Sequence, residues 1–288
     1  MRSTVTLCLT ALLLLSLTAC EENISPTLDT GRPFSLWGSL DPTQDTQAIR
    51  VVPIALQIGP DIGDTLDAEV VSRNLISGEI ITWENTIVEF ANGQSGWVAT
   101  APFRPEYGET FRITATRSDG ASAAVTVEIP EKITPIVSAP TQGFSQVDLP
   151  VLWPEAPRLH DAEIHYLVAN GACNNFFERD YSLLNETEPF EFGWETAVPL
   201  AEHAAILRAE EGGLIGFVRM TVRGLVADTD WKPPYPFAFD PEIIIEPGSI
   251  SNVENGFGFV GASYRTEIDV VPDEQTLRSA GFAALCLN

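Results

Sequence analysis

Three stretches of the chain hold residue types that could do chemistry. The first is His160-Asp161-Ala162-Glu163-Ile164-His165. Imidazoles and carboxylates bind metals and carry protons. On a strand, side chains alternate between faces, so Asp161, Glu163 and His165 would point one way and Ile164 the other. Such a row could hold a metal ion, or it could be the wet side of a half-buried strand. The second stretch is Asp61-Ile62-Gly63-Asp64-Thr65-Leu66-Asp67, with oxygen ligands at loop spacing. It lacks the order and the closing Glu of an EF-hand loop, and Asp forms turns for its own reasons. The third is Trp231 with Tyr235 and Phe237, followed by Phe239, among Pro233, Pro234 and Pro236. Rings on a stiff proline frame could stack on a sugar or a partner protein, or they could plug the end of their own domain.

The sequence carries no Gly-x-Ser-x-Gly, Walker or His-Glu-x-x-His pattern. No Cys-x-x-Cys or Cys/His cluster suggests a metal, and neither a metal nor a cofactor is expected. A catalytic triad need not be local in sequence, so a hydrolase with a non-local site stands as the alternative to a non-catalytic binding module.

The elements that must position these residues are short strands. Residues 34–40, 48–58, 68–75, 80–83, 87–90 and 96–103 are apolar or β-branched runs separated by turn residues. Phe111, Ile113 and Ala115 alternate with polar residues, as do Val125, Val127 and Ile129 beyond Ser118-Asp119-Gly120. Period-two alternation around Asp-Gly is a hairpin with one wet face. About seven strands in roughly 100 residues, with no helical pattern, indicate a β-sandwich over residues 33–134. Pro130, Pro135 and Pro140 mark the boundary to a second β-rich region, residues 135–288. There Val147 to Trp153 and a strand bearing Tyr166 loosely resemble the start of a fibronectin type III domain. Residues 199–211 read as a helix with Leu200, Ala204 and Leu207 on one face, and Gly212-Gly213 as its stop. A further turn or two of helix is expected over 273–279. The fold class is mainly β, two immunoglobulin- or fibronectin-like sandwiches with one or two short helices in the second.

The N-terminus changes the setting. Val5 to Leu17 is apolar apart from Thr6, Thr10 and Ser16, too short to span a membrane and suited to a signal peptide. Leu17-Thr18-Ala19-Cys20 then resembles the lipobox of bacterial lipoproteins. That resemblance implies cleavage of residues 1–19 and lipid attachment at Cys20, which ties the chain to a membrane outside the cytoplasm. Residues 20–32 are a polar tether. Glu21-Glu22 resembles the surface-export signal of some Gram-negative lineages. With Cys8 lost and Cys20 acylated, Cys173 and Cys286 remain, and an oxidising compartment favours one bridge between them over two buried thiols. The net charge of −24 disfavours nucleic acid and anionic lipid surfaces as partners. Lys132 and Lys232 are the only lysines.

Several short stretches carry a wider resemblance: Leu36-Trp37-Gly38-Ser39-Leu40 with Arg50-Val51, Tyr107 to Ile113 with Asp119-Gly120, and Asn252-Val253-Glu254-Asn255-Gly256-Phe257-Gly258-Phe259. Together they resemble a lipoprotein family catalogued as domain of unknown function 4249. The resemblance implies an outer-membrane lipoprotein, exposed on the cell surface, beside a TonB-dependent receptor. It brings no catalytic residues.

Overall fold

The computed structural model describes residues 31–54, 65–90, 93, 95–143, 146–231 and 251–286. Cys20, Glu21-Glu22, residues 61–64 of the Asp-rich loop, Tyr235, Phe237 and Phe239 lie outside the described residues. Among the described residues no helix is long and apolar enough to cross a membrane.

Alternation sets the strands of the first half. They are β1 (Phe34–Leu40), β2 (Gln47–Pro53), β3 (Glu69–Asn74), β4 (Ile80–Thr82), β5 (Glu84–Glu89), β6 (Ser95–Ala101), β7 (Thr110–Thr116) and β8 (Ser122–Glu128). In the Asp119-Gly120 hairpin, Phe111, Ile113 and Ala115 face Val127, Val125 and Ala123 across the ladder, and all six are buried. The connection contains β9 (Ile136–Val137) and β10 (Thr141–Gln142). The second half continues with β11 (Val147–Pro154), β12 (Arg158–Asn170), β13 (Phe176–Ser182), β14 (Thr187–Phe190), β15 (Gly193–Pro199), α1 (Leu200–Glu211), β16 (Ile215–Ala227), β17 (Phe257–Val270), α2 (Glu274–Ala280) and β18 (Ala284–Leu285).

The helix α1 buries Leu200, Ala204 and Leu207 on the expected face, and His203 with them. Glu210 and Glu211 oppose the dipole at its C-terminal end. Arg179 of β13 meets both, with Nε 3.4 Å from Glu210 and Nη2 bonded to Glu211. Asp273 caps α2 by accepting the Thr276 N–H at 2.9 Å.

The strands form two sandwiches that share one sheet. The four-stranded sheet β4-β3-β7-β8 covers the first core, and a five-stranded sheet built on β10-β11-β15-β14 covers the second. Both pack on a nine-stranded sheet ordered β13-β12-β16-β17-β1-β2-β6-β5, with β18 added beside β16. The strand β17 joins the halves. Its first half pairs with β1 in parallel, Phe257 to Ala262 against Ser35 to Leu40. Its second half pairs with β16 antiparallel, Ser263 to Val270 against Ala227 to Met220.

The division at residue 134 is therefore not a clean one. Val253, Val260 and Ala262 belong to the first core, whereas Tyr264 and Val270 belong to the second. A 14-residue strand is long enough to serve both, since it extends by about 3.3 Å per residue.

Tyr264 also fixes the connection between the halves. Its hydroxyl donates to the Glu131 carbonyl at 2.7 Å and accepts the Ile133 N–H at 2.9 Å. Tyr264→Phe should orphan both backbone groups and cost about 1–3 kcal/mol. The expected result is a lower urea midpoint at unchanged slope; an unshifted midpoint would refute the role.

Candidate functional site

The outward face of β17 changes character along its length. Phe257 and Phe259 point outward at one end, and Arg265, Glu267 and Asp269 at the other.

The ionic end continues onto β16 and β12. Arg265 lies 3.4 Å from Glu163, and Arg223 lies 3.1 Å from Glu267. With Thr266 these four line an open depression of about 600 Å³. The expected row of Asp161, Glu163 and His165 does not form. Asp161 takes φ 46°, and the ladder between β12 and β16 shifts register between His160 and Glu163. Such a bulge re-aims side chains. Glu163 turns to Arg265, while His165 Nδ1 sits 2.7 Å from Asp180. The other nitrogen, Nε2, faces Glu178 at 3.8 Å rather than a hydroxyl nucleophile. Among the described residues no three His, Cys, Asp or Glu side chains converge as a metal site would require. These exposed pairs contribute little stability individually.

The aromatic end is more organised. Cross-strand pairing sets Phe259, Trp37, Arg50, Val98 and Thr86 in one row across β17, β1, β2, β6 and β5. Phe257, Ser35 and Val52 form the row beside it. Glycines let the rings lie against the sheet. A Cβ on Gly258 would stand 3.0 Å from Trp37 Cε2, one on Gly261 2.8 Å from the Phe259 ring, and one on Gly96 2.8 Å from the Phe90 ring. Trp37 donates its indole N–H to Ser35 Oγ at 2.7 Å and remains 45% exposed. The Arg50 guanidinium lies 5.1 Å from the Phe90 centroid, and Arg32 lies 4.4 Å from that of Phe257.

Trp231 completes this face. It is half-buried and meets the Phe259 ring edge-on, with centroids 5.4 Å apart. Buried Asp228 holds it in place. One carboxylate oxygen accepts the N–H groups of Asp230 (2.9 Å) and Trp231 (3.0 Å), and the other accepts the Ala262 N–H at 2.5 Å. Burial pushes the Asp228 carboxyl up to about 6, while these donors pull it down. His160, buried beside Trp231 with centroids 6.2 Å apart, has no partner for Nε2 among the described residues. Burial also lowers its pKa.

The sequence pointed to Trp231 and missed the rest of the row. Trp37, Arg50, Phe257 and Phe259 stand in it only as parts of short structural stretches, and strand pairing brings them together. Cys173 and Cys286 do meet: they form a disulfide with Cα atoms 5.5 Å apart.

No family model matches the chain, and no curated protein matches it either. Among solved structures, a pullulanase from Anoxybacillus sp. LM18-11 is 10% identical, with 68% of this chain and 24% of that chain covered, at a TM-score of 0.22. The chain thus spans about a quarter of the pullulanase's length. Bovine butyrophilin is 11% identical, with 83% of this chain and 100% of its own covered, at a TM-score of 0.22. A complex of Dpr2 Ig1-Ig2 with DIP-Theta Ig1-Ig3 is 15% identical, with 59% of this chain and 83% of its own covered, at a TM-score of 0.20. Likenesses this distant carry no argument about function.

Proposed function

We propose that the chain is a lipid-anchored cell-envelope protein acting as a non-catalytic binding or assembly module beside an outer-membrane TonB-dependent transporter. Membership of the domain of unknown function 4249 family and exposure on the cell surface are part of the same reading. The observation that carries it is the outward row of Phe259, Trp37 and Arg50, joined by Trp231. An outward row with Trp37 exposed and Phe257, Phe259 and Trp231 half-buried around it suits recognition of an extended partner, whereas a hydrolase would use a recess with converging acid, base and nucleophile. Lipid attachment at Cys20 and the polar tether would hold that face near the membrane.

Crosslinking in intact cells tests the proposal. A photo-reactive residue at Phe192, which is 65% exposed and far from the row in sequence, should capture an outer-membrane transporter. Capture should be lost in Cys20→Ala, which would lack the anchor. Capture of soluble periplasmic proteins alone, or equal capture with and without Cys20, would overturn the reading.

A further inference from the structure

A ring packed on a sheet offers its face, and the polar handle of Trp37 is already used by Ser35. What Trp37 presents is therefore an apolar plane of the kind that stacks on the C–H face of a sugar. Its cross-strand neighbour Arg50 is different in kind. None of the described ion pairs includes Arg50, and its guanidinium rests on Phe90 instead. A guanidinium stacked on a ring keeps its in-plane N–H fork available, and that fork matches a carboxylate.

The charge around these residues points the same way. The chain carries 40 acidic residues and a net charge of −24. Yet the two rows through Trp37 and Ser35 contain no acid; the next row over contains Glu84, on the edge strand β5, and beside Phe259 the carboxylate of Asp228 lies over Gly261, engaged by three backbone N–H groups. The net charge opposes an anionic polymer over most of the surface, so one could be held only where a cation such as Arg50 meets it. At physiological salt that repulsion is screened beyond about 8 Å, leaving local contacts to decide. Five strands spaced about 4.8 Å apart make the row about 19 Å long, enough for several linked sugar rings.

We infer that this face binds an acidic polysaccharide whose sugar units carry carboxylates. The rings stack on Trp37 and Phe259, and a carboxylate pairs with Arg50. The inference rests on the reading of the chain as a binding module and names its ligand class.

The full-length protein in detergent, titrated with polygalacturonate and with a neutral glucan, provides the test. Polygalacturonate should bind more tightly than the glucan. Trp37→Ala should weaken binding of both polymers by about tenfold or more. Arg50→Gln should weaken polygalacturonate alone, by about five- to tenfold, and erase the preference; Arg50→Lys should restore only part of it. Both side chains are exposed, so circular dichroism should show the fold unchanged. Equal affinity for the two polymers, no binding of polygalacturonate, or undiminished binding in both variants would each overturn the inference. If polygalacturonate fails to bind while Phe192 still captures the transporter, the binding-module reading survives and the acidic-glycan assignment does not.

Discussion

Cys286→Ser should destabilise the protein by about 4–5 kcal/mol in the chain-entropy account of disulfides. The bridge closes a loop with a sequence separation of 113, which restricts the unfolded chain far more than a local bridge would. It also fastens the segment after α2 to the second core, in addition to that segment's own packing and hydrogen bonds. Leu277, Ala280 and Phe282 are buried there, and β18 adds two residues in parallel beside Gly216 and Phe217. The Cys286 N–H donates to the Phe217 carbonyl at 2.7 Å. Gly216 is what lets the bridge lie on β16, because a Cβ there would collide with Cys286 Sγ. Gly216→Ala should therefore reproduce much of the loss with both cysteines intact. Guanidinium unfolding measures both variants. Thiol titration of the denatured, unreduced wild type should find neither Cys173 nor Cys286 reactive. A loss below about 1 kcal/mol in Cys286→Ser would mean that packing alone secures the tail.

What could be read from the sequence was local. The Asp119-Gly120 hairpin and the helix over Leu200–Glu211 announce themselves because their periods repeat within a dozen residues. Nothing local in the sequence marks the cysteine pair, whose members stand 113 residues apart. The shared strand was not legible, because it depends on pairing across the whole chain. Ser39 and Ser263 share a hydrogen bond of 2.9 Å across a sequence separation of 224. Alternation along β17 shows which residues face out but not that Trp37 and Arg50 are their neighbours. The broken alternation over His160 to His165 has a similar cause. Alternation over residues 160–165 assumes a regular strand, and Asp161 at φ 46° breaks it with no glycine to give warning.

Between pH 6 and 4 the two most strongly shifted groups, His203 and Asp228, should pull the stability of the wild type in opposite directions, with His160 on the side of the first and Asp148 on the side of the second. His203 lies on the buried face of α1, its Nδ1 3.0 Å from the Tyr166 hydroxyl and its ring stacked on Tyr181 at 4.5 Å. Burial lowers its pKa from 6.5 to about 4. Unfolded His203 takes a proton near 6.5 and folded His203 only near 4, so the stability it confers is present above 6.5 and is lost as pH falls through about 4. The loss amounts to about 3 kcal/mol. Asp228 has the opposite sign. Its carboxyl is raised from 3.8 to about 6 by burial. Its contribution is present below 3.8 and is lost as pH rises through about 6, again about 3 kcal/mol. The surface carboxylates of Asp119 and Glu254 are held low by Arg117 and Arg112, and that of Asp273 by Thr276, so they act at more acid pH. Single replacements should unmask each buried group. In His203→Gln stability should rise as pH falls from 6 to 4, and in Asp228→Asn it should fall over the same interval. Urea midpoints at several pH values give the slopes, which a uniform loss of stability leaves unchanged. Parallel pH profiles for the wild type and both variants would show that neither group titrates with folding.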